Sequence, residues 1–310
     1  MFEEKIKVTV SEEMDGLRLD QFLSEQLTYS RSYLQKIIKN EKVLINGNLV
    51  TKAKVPVRIN DEIVLTIPAP QKPEILPEKM DLDILYEDED LLVVNKPKDM
   101  VVHPAAGHMS HTLVNGLLYH CQGQLSGING IMRPGIVHRI DKDTTGSLIV
   151  CKNDLAHQVI SEQLRIHSIT RKYNAIVYNN FSNDTGTIET NIGRHPTERK
   201  KMAVLPPGKG KRAVTHYRVI DRLNRQMNHV ECQLETGRTH QIRVHMSYIK
   251  HPLLGDTVYG PKPSGSFSHL TGQTLHARVI GFEHPRTNQY IEIEAPLPQY
   301  FVQLLKTLKN

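Results

Sequence analysis

Residues 135–151 read G-I-V-H-R-I-D-K-D-T-T-G-S-L-I-V-C. Two apolar, strand-like runs, Gly135-Ile136-Val137 and Ser147–Cys151, bracket the segment 138–146. Such a segment reads as a loop on a rigid scaffold, where catalytic groups are often displayed. It offers two carboxylates, Asp141 and Asp143, with His138 and Arg139 beside them. Thr144 and Thr145 add small hydroxyls, and Gly146 permits a turn or a close backbone approach. The residues alone leave three readings open. The segment is a polar surface turn, a metal site built from His138, Asp141 and Asp143, or the seat of one working carboxylate. Adjacent positions rarely converge on a metal without ligands from elsewhere. A lone carboxylate needs a cation nearby to keep it ionised.

Around this loop the pattern is α+β. Strand-like stretches fall at 83–86, 91–95, 147–151, 172–178, 213–220, 230–235 and 290–294. Helix-like stretches fall at 112–120, 154–167 and 239–248, and Phe301, Leu304, Leu305 and Leu308 mark a closing helix. The two types do not alternate regularly, so a mixed, largely antiparallel sheet is expected. Upstream, residues 68–78 read P-A-P-Q-K-P-E-I-L-P-E. Four prolines in this span suit an extended linker. We place a small domain at 1–67, a linker at 68–80 and a large domain at 81–310.

The small domain has its own pattern. Leu19, Phe22, Leu23 and Leu27 sit at helical spacing, and Ser30 can cap a second helix with Leu34, Ile37 and Ile38 on its apolar face. Asn46-Gly47 between apolar runs signals a hairpin, and a last strand spans 62–67. From Arg31 to Arg58 there are seven cations against one acid, Glu41. That segregated charge suits a phosphate backbone, although a solvated helix face would look the same. A second basic tract runs from Arg194 to Arg218, with Arg199 and Lys200 inside it and Glu198 its one acid. Pro206, Pro207, Gly208 and Gly210 suggest a hairpin tip there.

Composition narrows the class. The 310 residues carry a net charge of +6, which hints at an anionic partner. Cys121, Cys151 and Cys232 show no C-x-x-C spacing, and an odd count does not suit a disulfide framework. The start, M-F-E-E-K-I-K-V-T-V, is too charged for a signal peptide, and no apolar run approaches a membrane span. A cytoplasmic protein with no membrane partner is expected. No phosphate-binding loop, dinucleotide fingerprint or Cys/His metal spacing is present, so neither cofactor nor metal is expected.

The segment G-I-V-H-R-I-D-K-D-T-T-G resembles the H-R-L-D-x-x-T-S-G signature of the large-subunit ribosomal pseudouridine synthase family, with Ile140 for Leu and Thr145 for Ser. Other stretches agree in order: L-L-V-V-N-K-P-K-D-M-V-V-H-P at 91–104, R-K-Y-N-A-I-V at 171–177, L-E-T-G-R-T-H-Q-I-R-V-H-M at 234–246, G-D-x-x-Y-G at 255–260 and L-H-A at 275–277. The small domain resembles the RNA-binding module of ribosomal protein S-four, as in D-type members of that family. The resemblance implies a pseudouridine synthase fold, with a mixed sheet and flanking helices around a central cleft, behind a small α/β module. It also implies uridine isomerisation in structured RNA, foremost large-subunit ribosomal RNA or a pre-ribosomal particle. A monomer is expected, because the RNA supplies the partner surface.

By the same resemblance, Asp141 is the catalytic carboxylate and Asp143 is not. Three routes are open to Asp141: attack on C1′, addition to the pyrimidine ring, or removal of the 2′ proton. Arg243 is its expected cation, with Arg238 the runner-up. Tyr173 is expected to stack on the target uracil. Arg139 would contact the nucleotide that leaves the stack or fill its place. His138 and Arg238 complete the expected RNA contacts in the large domain, and Arg31, Lys36 and Lys39 supply those of the small one. The rival readings are a catalytically silent RNA-binding assembly factor and a metal-dependent hydrolase.

Overall fold

The computed structural model describes residues 4–67, 75–105, 107–198, 201–224 and 226–309. The chain divides into two compact units, 1–73 and 74–310. Most of the stretch expected as a linker, 68–74, lies outside the described residues.

The first unit contains β1 (Glu4–Thr9), α1 (Leu19–Gln26), α2 (Arg31–Lys39), β2 (Val43–Ile45), β3 (Asn48–Leu49) and β4 (Glu62–Ile67). Its antiparallel sheet has the order β1-β4-β2-β3. The helical spacing read from the sequence is the buried stripe: Leu19, Phe22 and Leu23 of α1 meet Leu34, Ile37 and Ile38 of α2 over Ile63 and Leu65 of β4. Ser30 Oγ accepts the Tyr33 N–H and caps α2. Asn46 and Gly47 take the positive φ values, 49° and 78°, that a two-residue hairpin needs.

One pair of side chains changes the meaning of the basic stripe. Asp20 is fully buried in α1 and accepts from Arg18, Arg31 and Gln35. Burial pushes its carboxyl pKa up, but the bonds from Arg31, Gln35 and Arg18 outweigh this and hold it below the usual range. Arg31 therefore ties α2 to α1, with its side chain still 45% exposed. Lys36 and Lys39 are exposed, without a carboxylate partner among the described residues.

The second unit contains β5 (Ile84–Glu87), β6 (Leu91–Lys96), α3 (Leu113–His120), β7 (Thr145–Cys151), α4 (Asp154–Arg165), β8 (Thr170–Tyr178), β9 (Thr185–Arg194), β10 (Met202–Leu205), β11 (Lys211–Arg222), β12 (Met227–Leu234), α5 (Gln241–Tyr248), β13 (Leu275–Glu283), β14 (Tyr290–Glu294) and α6 (Gln299–Lys309). One sheet runs β10-β9-β11-β12-β8-β13-β7-β6-β5, with β14 added on β13. Only the β13–β7 pairing is parallel. This is the mixed, largely antiparallel α+β arrangement read from the sequence.

Three strands escaped the sequence reading: β9, β10 and β13. In β9, T-G-T-I-E-T-N-I-G-R, Ile188 and Ile192 are the only large apolar residues, yet the strand pairs on both sides. The expected hairpin tip at 206–210 is corrected by this pairing. β10 and β11 flank β9 and do not pair with each other, so 206–210 carry the chain from one side of β9 to the other, near Ile192 and Gly193. The basic tract is also less free than its sequence suggested. Arg212 pairs with Glu189, Arg218 with Glu231 and Lys201 with Glu198. Two of those acids come from neighbouring strands, which a local count of charge misses. Arg199 and Lys200 lie outside the described residues.

Candidate active site

The 138–146 loop is held from several sides. It runs into β7, every residue of which is buried. Where β7 meets β13, Gly146 takes φ 106°, and a Cβ there would stand 2.3 Å from Ala277 O. Only glycine permits that approach. His138 Nε2 accepts the Ile149 N–H at 2.9 Å, fixing the loop's start to β7. The fully buried Lys96 donates to Pro97 O, Met100 O and Lys142 O, so one ammonium pins the loop beside Asp141. Burial pulls the Lys96 pKa down to about 7, against the pull of Asp143, Asp141 and Asp99. Three acceptors for three N–H groups favour the ammonium form.

Asp141 lines a cleft of about 280 Å³, with its carboxylate 18% exposed. Arg243 of α5 reaches it across the cleft and donates from Nη1 to Asp141 Oδ2 at 2.9 Å. The rest of the guanidinium is committed behind: Nε and Nη2 bind the two oxygens of Asp256 at 2.6 and 2.9 Å. Asp256 is fully buried and also accepts the N–H groups of Val258 and Tyr259. Burial works against the Arg243 charge, but Asp256 and then Asp141 overcome it and raise its pKa above the ordinary value. Its planar fork grips Asp256 side-on through two nitrogens while the third reaches Asp141, a geometry that the compact ammonium of a lysine does not offer.

His240 and Tyr259 complete this corner. His240 precedes α5 in a left-handed conformation, φ 56°, so the helix begins two residues later than its sequence suggested. The Met202 N–H donates to the Tyr259 oxygen at 2.8 Å. That leaves the phenol proton for His240 Nδ1, also at 2.8 Å. The imidazole then directs Nε2–H toward Asp141 Oδ1, 3.7 Å away.

The structure brings Asp141, Arg243 and Tyr173 to one cleft, together with His138, Arg139 and Arg238. Tyr173 is buried in the wall within the main apolar cluster, and burial raises its pKa. Arg139 is exposed at the cleft, without an ion pair among the described residues. Arg238 donates from Nε to Arg212 O. His138, Asp141 and Asp143 do not gather as metal ligands. Among the described residues the one converging group is Asp88, Asp90 and His284, and Arg286 already binds Asp90 through two hydrogen bonds. Asp256, His240, Tyr259 and Lys96 were passed over as functional residues in the sequence. Their motifs were visible, but nothing in those motifs says which side chain faces which.

Two histidines behind the site make the fold acid-sensitive. His245 lies between Thr190 and Thr215, and His276 between Thr145 and Ala295 O; both are fully buried. Burial lowers each from 6.5 to about 4. Unfolding restores the higher value, so stability is intact above pH 6.5 and is lost as pH falls toward 4. Each contributes on the order of 3 kcal/mol across that window. Melting curves followed by circular dichroism should fall by roughly 10 °C or more between those limits. A flat profile would show that these imidazoles are not held neutral.

Comparisons with known proteins give the family. Residues 90–248 match the RNA pseudouridylate synthase family, and residues 17–63 match the S4 domain. An uncharacterized RNA pseudouridine synthase of Bacillus subtilis (strain 168), YlyB, is 52% identical over 99% of both chains. The ribosomal large subunit pseudouridine synthase D of Zymomonas mobilis is 47% identical over 97% of both. The protein of that name in Escherichia coli O157:H7 is 40% identical over 98% of this chain and 94% of its own. Among solved structures, human RNA pseudouridylate synthase domain containing 4 superposes with a TM-score of 0.57 at 26% identity, covering 73% of this chain and 93% of that one. The family match spans both the cleft loop and the arginine helix, the S4 match spans the small module before them, and the chain belongs to the RNA pseudouridine synthase family, as an isomerase that carries an S4 RNA-binding domain.

Proposed function

We propose that this enzyme isomerises uridines of large-subunit ribosomal RNA, with Asp141 as its catalytic carboxylate. One observation carries the role of Asp141. Among the described residues lining the cleft it is the only carboxylate, and it stands among four arginines: Arg139, Arg171, Arg238 and Arg243. Isomerisation breaks the bond from N1 to C1′, turns the base and joins C5 to C1′. Each of the three routes open to Asp141 needs one carboxylate held beside the glycosidic bond. Arg243 holds it through Nη1, and Tyr173 offers a ring face in the wall for the uracil. Arg139 contacts the nucleotide drawn out of its stack, at a cost of about a few kcal/mol. His138 serves these contacts by keeping the loop on β7.

The choice of ribosomal RNA rests on relatives named ribosomal large subunit pseudouridine synthase D at 40–47% identity. In the S4 domain, Lys36 and Lys39 meet RNA phosphates, and Arg31 joins them with the part of its side chain that Asp20 leaves exposed. We assign the S4-type domain to 1–67, the linker to 68–80 and the catalytic domain to 81–310, working as a cytoplasmic monomer. No helix among the described residues is long and apolar enough to cross a membrane.

The test is tritium release from RNA labelled at carbon 5 of uridine. Large-subunit ribosomal RNA transcripts should release tritium, and transfer RNA should not. Release from transfer RNA alone would move the substrate assignment there. Binding without release from either would favour a silent assembly factor.

A further inference from the structure

Two arginines are buried in the cleft, and they are treated oppositely. Arg243 has two carboxylate partners. Arg171, only 7% exposed, has none among the described residues. Its Nη2 donates to Glu235 O at 2.8 Å, and its buried Nε meets no acceptor. The Glu235 carboxylate beside it is engaged by His216 and Arg212. Burial pulls Arg171 below its ordinary pKa; Tyr173 opposes this and the guanidinium of Arg238 adds to it. His167, also at the cleft, is lowered by burial and then by Arg171 and Arg238.

Burying an uncompensated guanidinium is costly, and removing one partner of a buried pair is costly for the same reason. Such a charge is tolerated where a ligand brings the opposite one. Gly237 makes room for the guanidinium itself: a Cβ at that position would stand 2.6 Å from Arg171 Nη1. Arg171 leads into the same face of β8 as Tyr173, two residues on, so the charge lies beside the wall that receives the base. The formal negative charges of RNA are its phosphates, and a guanidinium fork matches their oxygens. We propose that Arg171, with Arg238 beside it, forms a phosphate subsite in the cleft wall that holds a phosphodiester of the nucleotide entering the cleft. The proposal rests on RNA being the substrate.

The experiment measures Kd for a large-subunit ribosomal RNA transcript over a range of salt concentrations. It compares the full chain carrying Asp141→Asn with versions that add Arg171→Met or Arg171→Lys. All are compared at a temperature where circular dichroism shows each to be folded. Loss of one phosphate contact should reduce the slope of log Kd against log salt by about 0.7–0.9 in Arg171→Met. Arg171→Lys keeps the charge and should keep the slope. An unchanged slope in Arg171→Met, or an equal fall in Arg171→Lys, overturns the subsite. Tritium release by the wild type from the same transcript is read in parallel. If it is absent, the proposed substrate has failed, and the slopes still decide the subsite.

Discussion

Asp141→Asn should release no measurable tritium from ribosomal RNA while binding it at least as tightly as the wild type. The expected loss in turnover is on the order of 10⁴-fold or more, as for other enzymes deprived of their central reacting group. Asparagine has nearly the same shape, and its carbonyl oxygen can still accept the Arg243 Nη1 proton that Asp141 Oδ2 now accepts. The loop remains anchored by Lys96 and His138, neither of which is hydrogen-bonded to the carboxylate. What is lost is the ability to attack carbon or accept a proton. The cleft also becomes more positive, so RNA affinity should not fall. Turnover within about tenfold of wild type would remove Asp141 from its assigned role.

Asp256→Asn should damage both folding and catalysis, although Asp256 is behind the cleft. It leaves the 6%-exposed Arg243 with one carboxylate in place of two. Breaking a buried ion pair from one side costs about 3–5 kcal/mol. In a unit of this size that lowers the melting temperature by roughly 10 °C. Arg243 is then also free to swing from the position in which its Nη1 meets Asp141. The double variant Arg243→Met with Asp256→Leu separates the two effects. Apolar replacement of a buried pair is often neutral or stabilising, so this variant should recover much of the lost melting temperature, less what the Val258 and Tyr259 N–H groups lose with their acceptor. It should nonetheless stay inactive, because no guanidinium is then hydrogen-bonded to Asp141. A folded, active double variant would show that the Asp256–Arg243–Asp141 chain serves the scaffold and not the reaction.

Legibility varied with the range of the interaction. In the S4 domain, the apolar spacing of 19–38 and the Asn46-Gly47 turn depend on neighbours in sequence, and both helices and the hairpin stand where they were read. In the large unit, β7 and β8 were visible as dense apolar runs. β9 and β13 were not, because their polar residues are satisfied by distant strands. His276 of β13, for example, is bonded by Thr145 and Ala295. The basic tract misled for the same reason: Arg212 and Arg218 find their acids across β11, from β9 and β12.

The sequence by itself determined the family and the α+β class, and it singled out Asp141 as the candidate carboxylate, because motif order and local periodicity are properties of the linear chain. It also named Arg243, through the resemblance of 234–246. Only the tertiary structure decided which charges meet. Arg243 and Asp141 are 102 positions apart, and Asp256 completes the bridge from a different loop. Arg31 turned out to bind Asp20, and Arg171 to have no acid at all among the described residues. A charge acts over a few ångströms in space whatever its position in sequence, so counter-ions, and the lack of one, become visible only once the chain has closed on itself.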